Sequence, residues 1–470
     1  MASLDEPLRP HGYRAVWRWH FYAALWTAPL LIILTLSGAI YLFDREIDAW
    51  WNRSVQTVAP AAGPATGHAT GHATGHAPLP LARQEALVRA AHPQAKVLRV
   101  RLPFAANEAA IWTVRGADGA AHDVYLDPVR GTVTGERDPA FQPTNLVRKV
   151  HGTLLGGEIG SHVVELVACW TLVMMATGIW LWWPRRWKAR GVFVPRLGAG
   201  GRRMWRDLHA IPSIFNAACV ILLVLTGLPW SAFWGAQFAK LGEAVPFIAP
   251  SPNFHAPPQA DGKPAADPHA IHRMTAKAPD DPKLPWTIRH SMMPQSSGAS
   301  IIGIARIEAL LPLVDRAQFG EGVRILYPQG AKGVFTVSYV PDKAEGQRTL
   351  YVDPGTGRLL GNVGWADYSP VAKAVEWGTM THMGRQYGLA NQLANLAVCF
   401  VLIGSVAAGL VLWWRRRPQG ELGAPALQAG DRMPGAIKAL LAALAVLFPL
   451  VGATMLPVLV WGRFSPQRLR

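Results

Sequence analysis

The chain has 470 residues, of which 50% are hydrophobic and only 16% are charged, against about 25% charged residues in an ordinary soluble domain. Together with 20 tryptophans, this composition argues against a soluble enzyme and favours a membrane protein. The 46 Lys and Arg residues exceed the 30 Asp and Glu residues, which gives a formal charge of +16. We expect this excess in cytoplasmic loops rather than on a nucleic-acid surface.

Five apolar stretches are long enough to cross about 30 Å of hydrocarbon, which needs about 20 helical residues. They cover residues 21–43, 163–183, 211–230, 389–414 and 436–461. Lys and Arg precede the first stretch, fill the loop between the second and third, and follow the fourth. The positive-inside rule therefore predicts a cytoplasmic N-terminus and places the two long intervening segments outside, which in a bacterium is the periplasm.

The sequence thus predicts the following order of regions. It comprises an N-terminus with a first span (1–43), a first periplasmic domain (44–146) with a His-rich linker (59–80), a second span with a preceding interfacial segment (147–184), a basic loop (185–208), a third span (209–230), a second periplasmic domain (231–381), a fourth span (382–414), a basic loop (415–435), a fifth span (436–462) and a tail (463–470). Apolar residues alternate over 96–102 and 110–126, and a second such unit covers 301–360, so both outer domains are expected to contain half-buried strands.

The chain repeats itself. Residues 124–135 recur as 350–361, and each copy indicates a strand, a turn built on Asp-Pro and Gly, and a second strand. His20 and His209 each precede a glycine by 18 residues, and His151 and His382 each precede a glycine by 27. A unit of helix, outer domain and helix therefore occurs twice, and its four helices are expected to form a bundle with a pseudo-twofold axis along the membrane normal.

These motifs carry a resemblance. Residues 17–23, the Leu-Ser-Gly at 36–38, the paired Asp-Pro turns and Val-His-Gly at 150–152 resemble the PepSY-associated transmembrane family. That family includes iron-regulated bacterial inner-membrane proteins and ferrisiderophore reductases such as the ferrioxamine reductase. The resemblance covers almost the whole chain. It implies two periplasmic α+β domains of the PepSY type and, in the reductase members, haem groups in the helix bundle.

Four histidines are the candidate ligands. In a bundle, His20 is expected to face His209 at the cytoplasmic end, and His151 to face His382 at the periplasmic end. Two opposed imidazoles per end are what a six-coordinate b-type haem requires, and without a CxxCH motif each haem would be held non-covalently. The guanidinium groups expected to pair with haem propionates are Arg18, Arg206, Arg148 and Arg385. The alternative is that these histidines only extend to the membrane interface and bind no haem.

The depth of His151 raises a problem. It lies 31 residues before Trp182, which is roughly 46 Å of continuous helix and longer than the bilayer core. The glycines at 156, 157 and 160 are expected to break that helix, leaving His151 on a short interfacial segment. His162 would then be the deeper residue and a rival ligand.

A repeated Gly-His-Ala-Thr unit places His68, His72 and His76 on the linker, where imidazoles can hold Zn, Cu or Ni weakly. The alternative is that this segment is a spacer that binds no metal.

The sequence has no recognisable nucleotide-binding loop or catalytic Ser/His/Asp order. The four matched histidines, together with the resemblance to ferrisiderophore reductases, lead us to expect an inner-membrane di-haem protein that passes electrons from a cytoplasmic or quinol donor to a periplasmic ferric siderophore. The rival interpretation is a non-redox permease component or a PepSY-based regulator.

Overall fold

The computed structural model describes residues 12–59, 77–103, 105, 107–184, 186–245, 276–277, 284–289, 291–296, 323–330, 332–417 and 431–464. The linker histidines His68, His72 and His76 lie outside these residues, as does the whole of 301–322. The chain divides into two compact units. We call the first, made of Met1–Leu42, Arg148–Gln237 and Leu393–Arg470, the helix unit, and the second, made of Phe43–Val147 and Phe238–Gln392, the sheet unit.

Helices make up most of the described chain. They are α1 Tyr13–Tyr41, α2 Asp44–Trp51, α3 Arg53–Gln56, α4 Leu81–Ala91, α5 Pro143–Thr153, α6 Gly157–Trp182, α7 Gly201–Gly227, α8 Phe233–Ala244, α9 Trp286–Arg289, α10 Pro370–His382, α11 Leu389–Arg416, α12 Gly435–Leu447 and α13 Pro449–Phe464. Four helical segments among the described residues are long and apolar enough to cross a membrane: Tyr13–Tyr41, Gly157–Trp182, Gly201–Trp230 and Leu389–Arg415. The chain is therefore a multi-pass membrane protein.

The predicted fifth span is not a single helix. Residues 436–461 are divided between α12 and α13, with Phe448 in a non-helical conformation (φ −120°, ψ 84°) between them. Pro449 explains the break, because proline has no N–H to continue the ladder and disfavours helical geometry in the residue before it. The 13 residues of α12 span only about 20 Å, which is less than the hydrocarbon thickness.

The first and third spans begin earlier than hydropathy suggests. α1 starts at Tyr13 and α7 at Gly201, two turns or more before the predicted apolar stretches. His20 and His209 therefore lie within their helices rather than at their ends. The reason is that hydropathy reports where a helix enters the hydrocarbon, whereas the backbone ladder continues through the polar residues beside it.

The predicted break after His151 is confirmed. α5 ends at Thr153 and α6 begins at Gly157. Between them Leu154 and Leu155 adopt positive φ values of 46° and 61°, a region that is costly for residues with a Cβ. A matching break separates α10 from α11, where Gly384 and Gly388 have φ values of 73° and 61°.

The sheet unit contains one continuous antiparallel sheet rather than two separate ones. Its strands are β1 Lys96–Arg101, β2 Ala110–Arg115, β3 Ala121–Leu126, β4 Val133–Arg137, β7 Arg324–Leu326, β8 Phe335–Tyr339, β9 Arg348–Val352 and β10 Leu359–Gly364, with β5 Ala276–Lys277 and β6 Met292–Met293 forming a separate pair. The order is β10-β9-β8-β7-β1-β2-β3-β4. The strands of the two predicted domains join because β1 pairs with β7, with Val100 opposite Ile325.

The two halves of this sheet share the predicted hairpin turn. The Asp127 carboxylate accepts hydrogen bonds from the backbone N–H of Val129 and Arg130, and Asp353 does the same for Gly355 and Thr356. Each turn contains a glycine at positive φ, 71° and 69° respectively. One buried core, including Trp112, Leu126, Ile325 and Phe335, extends along both halves.

Candidate functional site

The structure brings His20 on α1 and His209 on α7 together inside the helix unit. Their ring centroids lie 6.2 Å apart, and the ring planes are inclined by 74°. The sequence predicted this pair from the repeat spacing. The geometry of each ring shows which of its nitrogens is available.

His209 is oriented by the neighbouring helix α11. Its Nδ1 lies 2.8 Å from the backbone carbonyl of Ser405, which can only accept, so Nδ1 carries the proton. The Ser213 hydroxyl, on the same helix as His209, donates to the Ser405 hydroxyl at 2.9 Å, which is a second hydrogen bond between α7 and α11 at this point. A neutral imidazole protonated on Nδ1 presents the lone pair of Nε2, which is the arrangement that metal-ligating histidines use.

His20 has the same tautomer for a related reason. Its Nδ1 lies 3.0 Å from the Thr177 hydroxyl on α6. That hydroxyl already donates to the Val173 carbonyl at 2.8 Å, so it accepts from His20. Among the described residues, neither His20 nor His209 has a hydrogen-bond partner at Nε2.

Glycines allow these rings to pack against their neighbouring helices. A Cβ placed on Gly178 would lie 3.3 Å from His20 Cε1, and one on Gly409 would lie 3.3 Å from His209 Nδ1. Gly178 and Gly409 occupy matched positions in the two predicted repeats. An alanine at either position would therefore push the imidazole a few tenths of an ångström from its place.

His151 on α5 is held in the same manner against α1. Its Nδ1 lies 2.9 Å from the Leu34 carbonyl and 3.2 Å from the Ser37 hydroxyl. A Cβ on Gly38 would come within 3.0 Å of its Cε1. His151 therefore contacts the first span although its own helix is short.

The remaining predicted ligands are His382 and His162. His382 is the last residue of α10, in the sheet unit. Its pairing with His151 stays a prediction. His162 lies in the second turn of α6, and its buried Nδ1 has no hydrogen-bond partner among the described residues, so it stays a rival ligand.

The four predicted guanidinium groups have different surroundings. Arg206 binds the buried carboxylate of Asp207 at 2.7 Å, and Arg196 binds the same carboxylate at 2.8 Å. Arg385 forms an ion pair with Asp44, and Arg18 lies 5.5 Å from the centroid of the Tyr22 ring.

Arg148 contrasts with the other three. It precedes His151 by three residues, and its buried Nε has no hydrogen-bond partner in the described part of the chain. Of the four, it is the one whose donor is visibly left without an acceptor.

These residues fit a haem axial-ligand site. Two imidazoles that share one metal through Nε2 have ring centres about 6.4 Å apart, since each metal–nitrogen bond is about 2.0 Å and Nε2 lies about 1.1–1.2 Å from the ring centre. The observed separation of His20 and His209 is 6.2 Å. Within the described residues, no group of three or more His, Cys, Asp or Glu side chains clusters as a metal cage. A histidine pair suits a metal whose other ligands come from a macrocycle.

Sequence reasoning missed the residues that orient the histidines. Thr177 directly precedes Gly178, and Ser405 lies one turn before Gly409. Their position one turn or less from the matched glycines is a signal that could have found them. Asp207 was also missed, although it is the only acidic residue between 166 and 242 and lies two residues before His209.

Comparison with known families gives one match. The family model described as the PepSY-associated TM region matches residues 17–416. Among curated proteins, none matches the chain. The matched range includes each of the four predicted ligand histidines, and it covers three of the four described helical segments that are long enough to span a membrane and all but the first four residues of Tyr13–Tyr41.

Proposed function

The chain belongs to the PepSY-associated TM family, and on that premise we propose that it is a bacterial inner-membrane electron-transfer protein. In this proposal the chain holds two b-type haems between paired histidines. It reduces ferric iron in the periplasm, with an Fe(III)–siderophore as the substrate. The electron donor is a quinol or a cytoplasmic reductant.

One observation carries the proposal. The ring centres of His20 and His209 lie at the separation that shared axial ligation requires, and the contacts at Nδ1 fix both rings in the tautomer that exposes Nε2. An ordinary structural histidine near a membrane has no need of a second imidazole opposite it. Ionisable residues within membrane helices are costly and by default have a function.

The residues of the chain have separable roles in this proposal. His20 and His209 would be the axial ligands of one haem, and Thr177 with the Ser405 carbonyl would keep their rings in place. His151 would serve the second haem with His382, and Arg148 would bind its propionate. When bound, haem supplies a one-electron carrier whose iron alternates between Fe(III) and Fe(II).

The choice of a ferric siderophore rests on coordination chemistry and on the family. Fe(III) is a hard ion that oxygen ligands hold tightly, and reduction by one electron weakens that binding. One electron per iron is what a haem pair can deliver. The outer domains would then offer the surface for the substrate or a partner protein.

The first test is an absorbance spectrum of the purified protein with haem quantitation. We expect a Soret band and about two non-covalent haems per chain, and a protein without a Soret band would refute the proposal. His20→Ala and His209→Ala should each remove one haem. His92→Ala is the matched control, because His92 lies in the sheet unit and bonds Glu136 at 3.1 Å.

The second test separates electron transfer from simple haem binding. Proteoliposomes with reductant on one side and an Fe(II) chelator on the other should report iron reduction by the wild-type protein. Loss of either haem should abolish it. Equal iron reduction by wild type and His382→Ala would refute the proposed electron transfer through two haems.

A further inference from the structure

Trp182 and Trp413 occupy matched positions in the two predicted repeats, but their indole N–H groups differ in hydrogen bonding. Trp182 lies four residues after Gly178, and its Nε1 donates to the Val192 carbonyl at 3.3 Å. Trp413 lies four residues after Gly409, and its Nε1 is buried with no hydrogen-bond partner among the described residues. The indole N–H is therefore satisfied by a loop in one repeat, whereas in the other repeat no described residue accepts from it.

A buried indole N–H without an acceptor is unusual. The indole N–H can only donate, and burying it without a hydrogen bond costs the full free energy of removing it from water. The ring itself is well placed, since Trp413 packs against Phe21 with centroids 6.2 Å apart, and Phe21 directly follows His20. The unused donor thus lies at the end of the bundle that holds His20 and His209.

The acceptor that would complete this site is an anionic oxygen. Arg206, which the sequence suggested as a propionate partner, already shares the Asp207 carboxylate with Arg196. The side chain of Arg206 is also 55% exposed, so it is directed in part toward solvent. Among the described residues, Trp413, one turn from the glycine that contacts His209, offers a neutral donor for a carboxylate beside the histidine pair.

We propose that the indole N–H of Trp413 donates a hydrogen bond to a propionate of the haem held by His20 and His209. This inference rests on the proposed function. Trp413 would be a cofactor-binding residue of one repeat that has no equivalent in the other, because the N–H of Trp182 is already used by its own loop.

The test compares Trp413→Phe with Trp182→Phe in the purified holoprotein. Both substitutions keep an aromatic ring and remove the N–H. A hydrogen bond to a charged group corresponds to about a 10- to 100-fold change in affinity, so Trp413→Phe should speed the transfer of one haem to excess apomyoglobin by about that factor. The second haem, and both haems of Trp182→Phe, should dissociate as in the wild type.

Haem dimethyl ester, which has no free carboxylate, provides the control for packing. In apoprotein reconstituted with this ester, wild type and Trp413→Phe should lose the group at rates within about threefold of each other. The same 10- to 100-fold difference with haem and with its ester would overturn the inference, because Trp413 would then act through packing alone. Unchanged haem loss in Trp413→Phe would also overturn it. A wild type without haem would instead refute the proposed function.

Discussion

The contact between Gly409 and His209 gives a prediction whose sign depends on two opposing effects. Replacing a glycine inside a helix by alanine normally stabilises the fold by about 0.5–1 kcal/mol, because the unfolded chain loses freedom. Gly404, on the same helix α11, has nothing within 4 Å of the position that a Cβ would take. Gly404→Ala should therefore show that gain and serves as the matched control.

Gly409→Ala meets the imidazole instead. The new Cβ would lie 3.3 Å from His209 Nδ1 and 3.4 Å from Cε1, inside the ordinary contact distance of about 3.5–4.0 Å. The ring cannot move away without cost, since its Nδ1 is tied to the Ser405 carbonyl at 2.8 Å. Weakening that hydrogen bond costs about 0.5–1.5 kcal/mol, which cancels or exceeds the gain. The two variants should therefore differ in stability by that cost, about 0.5–1.5 kcal/mol.

The measurement is thermal unfolding of the detergent-solubilised protein, with the spectrum of any bound haem as a second readout. Gly404→Ala should unfold at a higher temperature than the wild type and keep its spectrum. Gly409→Ala should unfold at or below the wild-type temperature and show a changed ligand field. If both alanines raise the unfolding temperature equally, Gly409 does not make room for His209, and His209 is not held in place by this contact.

Three further predictions concern buried carboxylates and the strained turn. Burial raises the pKa of Glu376 above its ordinary 4.5, against hydrogen bonds from Thr287 and Gln347, so its contribution to stability is present below pH 4.5 and lost as pH rises through the folded value. Glu376→Gln should flatten this pH dependence of unfolding, and an unchanged profile would contradict the assignment. Burial acts to raise the pKa of Asp127, but backbone hydrogen bonds and the Arg130 guanidinium keep it below its ordinary 3.8. Asp127→Asn should lower the free energy of unfolding by about 1 kcal/mol at pH 7, a modest figure because the Arg130 partner is half exposed to solvent. This loss should shrink as pH falls through the pKa of Asp127 in the folded protein. A loss that persists in acid would show that the charge of Asp127 is not its cause. Leu155→Gly should leave the free energy of unfolding unchanged or raise it by up to about 1 kcal/mol, because Leu155 has a φ of 61°, which glycine adopts more easily. Chemical unfolding measures this change. A decrease of about 1 kcal/mol would show that Leu155 is not strained.

Hydropathy and spacing predicted the features that repeat along the chain. The four spans follow from apolar runs of sufficient length, and the break after His151 follows from a distance that one helix cannot span. The pairing of His20 with His209 followed from equal spacing to Gly38 and Gly227. Each of these depends on counting residues along one helix or hairpin, which sequence alone permits.

The remaining features depend on how separate elements meet. Thr177 and Ser405 orient the histidines only because α6 and α11 are rotated to present them, and no local pattern encodes that rotation. The pairing of β1 with β7 joins strands more than two hundred residues apart, and such long-range contacts leave no periodic trace. The fifth span was predicted because hydropathy treats Pro449 as one residue among many, whereas the backbone ladder stops there.

The seam between β1 and β7 also bears on self-association. A sheet cut at this seam would expose a row of unpaired backbone groups over Arg99–Arg101 on one half and over Arg324–Leu326 on the other, next to side chains such as Val100 and Ile325 that are now fully buried. Open strand edges of this kind act as templates for another chain. A polypeptide carrying only one of the two strand sets should therefore recruit a second copy through this edge. Joining both sets in one chain satisfies the edge internally, so the sheet unit has no need of a partner there.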